Sequence, residues 1–176
     1  MRVLPMNYTF KTYFQMLAHY NQWANQKLFS TLIGLTEEQL NQDCKAYFKS
    51  LMQTANHVLV GDILWFERIK GVVASTYTLD EILYNQLAQL ENARIEHDQS
   101  LINFIHEHDE VSFHQMITYV RRGQVYTEPL IEILAHLFNH QTHHRGQMHS
   151  MIFELTAKSL ELDLIFFQRE YAYLYR

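Results

Sequence analysis

The residues best suited to chemistry are concentrated in one run, HLFNHQTHHRGQMH, from His136 to His149. A neutral imidazole carries a free lone pair on one ring nitrogen and is the commonest side-chain ligand for metals. In an α-helix, residues i and i+4 lie about 40° apart, one turn above the other. Two imidazoles at that spacing can reach one ion. His136 with His140 and His140 with His144 meet the rule, and His140 with His143 stands at i+3. Leu130, Leu134, Leu137, Met148, Ile152 and Leu155 mark the buried face of the same helix. By the turn angle, His144 falls inside that stripe and His140 near its edge, whereas His136 and His143 fall well outside. The candidate chelating pair is His140 and His144.

Any one of these histidines could instead be a hydrogen-bonded core residue, and His106, His108 and His143 read equally well as parts of a solvated face. An aligned pair is harder to dismiss. Two unpartnered imidazoles on a buried face cost roughly 1–3 kcal/mol each, and a metal ion would satisfy both. A two-ligand site is weak, so a third ligand has to come from another helix. His19, His57, His97 and the carboxylates are all open. Gly61 lies one turn beyond His57 and leaves room beside its imidazole, although close helix packing explains a glycine there too. No Glu-x-x-His pair occurs, which disfavours a carboxylate di-iron bundle.

Stepping outward, the chain has 176 residues, 48% of them hydrophobic, with only 5 Gly and 2 Pro, which suits long helices around one core, a single domain over residues 1–176. Fourteen basic against 19 acidic residues give a net charge of −5, and no basic tract occurs, so nucleic acid is not an expected partner. No segment approaches the ~20 apolar residues of a membrane span, and MRVLPMNYTF lacks the apolar run of a secretion signal. One cysteine, Cys44, excludes an internal disulfide. It has no histidine close in sequence and reads as a small buried apolar residue rather than a nucleophile. A cytoplasmic protein is expected.

The expected fold class is all-α. Apolar residues three or four apart run from about 7 to 33, with Gly34 placed for a left-handed cap. The connector holds a short helical turn starting at Thr36, with Gln39 three residues on. Ser50 and Gln53 open a second long helix, stopped by Gly71, and Thr78 with Glu81 open a third, running to about His106. Residues 109 to 127 are rich in strand formers around Arg122-Gly123 and form a short hairpin or an extended crossover. Pro129 sits in the first turn of the fourth helix, which runs to about Thr156, and a shorter helix follows from Leu160. Four long helices with a long connection before the last make a four-helix bundle.

The run HLFNHQTHHRGQ, with NHVLVGDILWFERI and AHYNQWANQKL before it, resembles the DinB family within the DinB/YfiT-like superfamily of metalloenzymes, which is distinct from the DNA polymerase of the same name. The resemblance extends from about Tyr8 to the DLIFFQ segment. It implies an up-down-down-up four-helix bundle, a homodimer, and a mononuclear divalent metal, zinc or nickel, held by His57, His140 and His144. Relatives in the superfamily act as thiol-dependent S-transferases or isomerases. Three neutral ligands leave the ion open to substrate, the arrangement of catalytic rather than structural sites. The expected function is therefore thiol transfer or hydrolysis on a small molecule, with a low-molecular-weight thiol as a candidate partner. The alternative is a metal-binding or interaction protein without turnover. Around the pair, Arg145 reads as an ion-pair partner or an anion-binding group, Gln147 flanks the ligands, and Asn139 and Gln141 read as acceptors for imidazole N–H groups or as surface amides. Tyr20 and Trp23 read as core or as a pocket mouth.

Overall fold

In the computed structural model, which describes residues 8–72 and 75–176, Thr9 accepts a hydrogen bond from the Thr12 backbone N–H and opens α1, Phe10–Leu32. The helix ends without a left-handed glycine. Ile33 stays right-handed, and Gly34 is not among the positive-φ residues, because the chain continues as a turn through Gly34 N–H to Thr31 and Leu35 N–H to Leu32. A full capping box between Thr36 and Gln39 starts the short α2, Glu37–Asn41. Ser50 caps α3, Leu51–Lys70, and Gly71 closes it at φ 64°, where a Cβ would be strained.

The expected third helix starts later than its capping-box pattern implies. α4 is Leu87–Glu107, and the Thr78–Glu81 pattern makes a turn instead, with Glu81 N–H bonded to the Thr78 carbonyl. The physical reason lies on α3. Buried Asn56 clamps Tyr84 from both sides, accepting its N–H at 3.0 Å and donating to its carbonyl at 3.0 Å. Those backbone groups are thereby taken out of any helix, and residues 75–86 form an irregular strap tied to α3 at Glu67, His57 and Asn56.

After a 3-10 turn at Val111–His114, a hairpin forms from β1, Met116–Arg121, and β2, Gln124–Pro129. Arg122 at φ 51° and Gly123 at φ 76° make the two-residue turn that matches strand twist. Pro129 stands just before α5, Leu130–Thr156, rather than in its first turn, and α6, Leu164–Glu170, packs on α1 through Phe167. No helix among the described residues is long and apolar enough to cross a membrane.

The four long helices close a ring in which α1 meets α4 and α5, and α3 meets the same two. Two apolar clusters fill the ring at its ends. One holds Phe14, Leu101, Ile105, Phe113 and Leu134, and the other Leu28, Leu32, Leu59, Leu90 and Ile152. Between them, at mid-height, each of the four helices turns polar residues inward: Asn21 and Asn25, His57 and Asp62, Arg94 and Asp98, and Gln141, His144 and Arg145, with half-buried His140 beside them. That polar layer is where the site lies.

Candidate metal centre

α3 and α5 bring His57, His140 and His144 together. Their Nε2 atoms form a near-equilateral triangle with sides of 3.2, 3.1 and 3.1 Å. His57 and His144 are buried and His140 is half-buried. Hydrogen bonds on the far side of two rings fix their tautomers. His57 Nδ1 donates to the Leu79 carbonyl at 2.7 Å, and His144 Nδ1 donates to the Gln147 side-chain oxygen at 2.7 Å. The Gln147 amide is itself oriented, because its NH2 faces His143 Nε2 at 3.2 Å. With Nδ1 protonated, Nε2 of His57 and Nε2 of His144 carry bare lone pairs that point at each other. One N–H from His140 could satisfy only one of them.

A cation at the centre satisfies all three. Nitrogens each about 2.0–2.1 Å from a common ion stand about 2.9–3.4 Å apart, between octahedral and tetrahedral angles, and the observed triangle lies within that range. The three histidines are thus positioned to bind a metal ion. Among the described residues, no Cys, Asp or Glu joins them as a fourth ligand.

Burial, helped by the neighbouring histidines, lowers His140 to about 3. Burial also lowers His144 to about 4, against the pull of Gln147, and lowers His57 against the pull of the Leu79 carbonyl. Because the folded values lie below the unfolded 6.5, the stability these neutral rings contribute is fully present above pH 6.5 and is lost as pH falls through the window to about 3–4. Metal binding should therefore meet little proton competition near neutrality. Zinc affinity at pH 5.5, measured by calorimetry, is expected within a few-fold of its value at pH 7.5, whereas three unperturbed imidazoles would lose about a thousand-fold. A loss of that size would mean that the rings titrate as exposed ones.

Gly61 serves the site differently from the sequence reading. A Cβ there would stand 3.0 Å from Cε1 of His140, so the missing side chain makes room for the α5 ligand and not for His57 on its own helix. Gly61→Ala is expected to raise helix propensity by up to ~1 kcal/mol. It should also push His140 off the triangle and weaken zinc binding by about 10–100-fold, the range seen when a ligand loses its orientation. An unchanged zinc titration of the refolded variant would refute this role.

The other candidates lie elsewhere. His97 packs its ring on Phe66, and His19 remains on α1 near His106. Asn139 is exposed. Gln141 is fully buried but donates to Asp62 and accepts from Arg145, with no imidazole partner. Among the described residues Arg145 makes no ion pair; buried, it donates to Asn21, Asn25 and Gln141. Tyr20 is core, with its hydroxyl donating to the Leu162 carbonyl at 2.7 Å. Cys44 is half-buried rather than buried, and its thiol is raised by burial and the nearby Glu154.

Two features were missed. Phe48 stacks on His57 at 3.8 Å between ring centroids and stands edge-on to His144 at 5.8 Å, covering the ligands from the α2–α3 loop. The strap carbonyl of Leu79 is the other. Neither has a periodic signal, because both belong to loops brought in by tertiary packing. The triangle opens into a cleft of about 1060 Å³ whose lining includes Phe48, His57, Gly61, Trp65, Leu79, His136 and His140.

A family model described as the DinB family matches residues 6–172. Protein DinB of Bacillus subtilis (strain 168) is 28% identical over 163 residues, spanning 89% of this chain and 91% of that protein.

Proposed function

The chain belongs to the DinB family, and from that premise and the imidazole triangle we propose that it is a metal-dependent enzyme acting on a small molecule, in thiol transfer or hydrolysis. The observation that supports the reading best is the triangle itself: three nitrogens 3.1–3.2 Å apart, two of them held as bare lone pairs, at the floor of an open cleft. A site built only for stability would be closed by a fourth side chain, as structural zinc sites are.

His57, His140 and His144 would hold a divalent ion, zinc or nickel by the ligand set, which would supply Lewis acidity for activating a thiol or a water near neutral pH. The chain's own groups do the rest. Leu79 and Gln147 hold two imidazoles by their Nδ1–H groups, so the lone pairs stay aimed. Phe48 stacks on His57 and forms part of the cleft wall beside the triangle. Thiol transfer is favoured over hydrolysis by the superfamily resemblance, and a low-molecular-weight thiol is the proposed co-substrate.

The test is conjugation of cysteine or glutathione to 1-chloro-2,4-dinitrobenzene, followed spectrophotometrically, with hydrolysis of a nitrophenyl ester in parallel. Activity should require zinc or nickel, disappear with chelator and return on re-addition. Metal uptake with no turnover of either kind would favour a binding role without catalysis.

A further inference from the structure

The far wall of the cleft carries a second recognition element, argued here on the reading of the cleft as an active site. Arg68, near the end of α3, lays its guanidinium 4.6 Å from the Trp65 ring centre and 5.4 Å from that of Tyr119. Its Nε is buried without a hydrogen-bond partner among the described residues. No carboxylate stands within ion-pair distance of it; the ion pairs among the described residues all belong to Arg94. Glu128, its nearest prospective partner on the hairpin, is engaged by the Tyr119 hydroxyl at 2.6 Å. Arg121 and Arg122 line the same cleft, and Asp80 is the one acidic residue in that lining. Burial first, and then the nearby Arg121, work against the charge on Arg68, while Tyr119, Glu67 and Glu128 support it from a distance.

Stacking on Trp65 explains the position of Arg68 but not the second arginine, Arg121, held near it. Glu67 and Glu128 offset part of that charge from a distance, but no carboxylate is seated on the Arg68 guanidinium, whose Nε stays unpartnered among the described residues. Planar guanidinium groups bind carboxylate and phosphate oxygens in bidentate fashion, most strongly where solvent is partly excluded. We propose that Arg68 and Arg121 form an oxyanion subsite that holds the carboxylate or phosphate end of a substrate whose other end reaches the His57–His140–His144 triangle.

The fold also sets the length of that substrate. Arg68 and His57 are eleven residues apart on one helix, about 16 Å of axial rise. Between them the rings of Trp65 and His136 (5.0 Å apart) and of His136 and His140 (5.9 Å apart) pave the floor. The substrate is then an elongated small molecule, roughly 10–15 Å from reacting atom to anion by that helix geometry.

The experiment titrates succinate and glycerol phosphate, with succinamide and glycerol as uncharged counterparts, into the metal-free full-length chain by calorimetry. At least one anion should bind about ten-fold or more tightly than its neutral counterpart, and whichever does so identifies carboxylate or phosphate. Arg68→Gln and Arg121→Gln should each lose that preference while taking up zinc like wild type. If Arg68→Gln does not fold, Arg121→Gln, at the exposed end of β1, decides. Equal binding of charged and neutral probes, or undiminished anion binding in a folded variant, overturns the subsite. Zinc titration separates the two readings: zinc uptake without arginine-dependent anion binding sinks the subsite alone, and the reverse sinks the metal centre alone.

Discussion

Zinc at a hundred times its dissociation constant should stabilise the wild-type chain by about 2.7 kcal/mol, or roughly 5–11 °C in unfolding midpoint for a domain of this size, and should leave His144→Ala almost unmoved. Binding to the folded state alone raises stability by mass action, so the shift reads affinity directly. Structural zinc sites are worth about 10–16 kcal/mol over four ligands, so one imidazole accounts for two to three orders of magnitude in affinity. At the same zinc concentration the variant would then gain less than about 0.4 kcal/mol. The comparison is made within each variant, with and without metal, so the cavity left by the missing ring cancels. His136→Ala on the same helix is the control. It lies outside the triangle, although it lines the cleft. It should shift like wild type. An equal zinc shift in His144→Ala would remove the assignment, and with it the functional reading.

Much of this site was legible beforehand because it sits on helices. The 100° turn angle placed His144 inside the apolar stripe of α5 and His140 at its edge, and their burial follows that order. His57 was a different matter. α3 is apolar on nearly every face, so no stripe singles out an inward direction, and beyond the hint of Gly61 the family resemblance chose among His19, His57 and His97. The strap before α4 was misread because a local capping pattern competes with a long-range clamp. The two bonds from Asn56 to Tyr84 outweigh one helical turn, and nothing in residues 78–86 reveals them. The hairpin was visible because its turn needs two left-handed residues, and Arg122-Gly123 can supply them. The resemblance pattern in helix 1, YNQWAN, acquired a physical meaning only in three dimensions. Asn21 and Asn25, one turn apart on α1, both donate to Asp98 and both accept from Arg145.

That meaning sets the second large effect. Asp62, Arg94, Asp98 and Arg145 are all at most 3% exposed, and they lie in one hydrogen-bonded network with Asn21, Asn25 and Gln141. Arg94 joins the carboxylates, at 2.5 Å to Asp62 and 2.9 Å to Asp98. Two acids and two bases balance, so the layer is neutral as a whole but not in part. Burial pushes the Asp62 carboxyl up to about 6 even with Arg94 beside it, which shows how little that carboxylate could tolerate losing its partner. Arg94→Met keeps much of the volume and removes the cation that joins the two acids. It should cost about 3–5 kcal/mol in urea unfolding of the metal-free chain, the range for breaking a buried pair, or roughly 6–20 °C in midpoint. Adding Asp62→Asn to it should cost less than the two single changes together, by ~1 kcal/mol or more, because the second change removes a charge that the first had stranded. Strict additivity would mean that the two groups do not depend on each other. On α5 the network neighbours the triangle in sequence, Gln141 next to His140 and Arg145 next to His144, and on α3 Asp62 follows Gly61, the residue that makes room for His140. The contacts that lock the four helices in register therefore also fix the rotation of α3 and α5 on which the triangle depends. For that reason Arg94→Met should weaken zinc binding as well as the fold, although Arg94 lies outside the triangle.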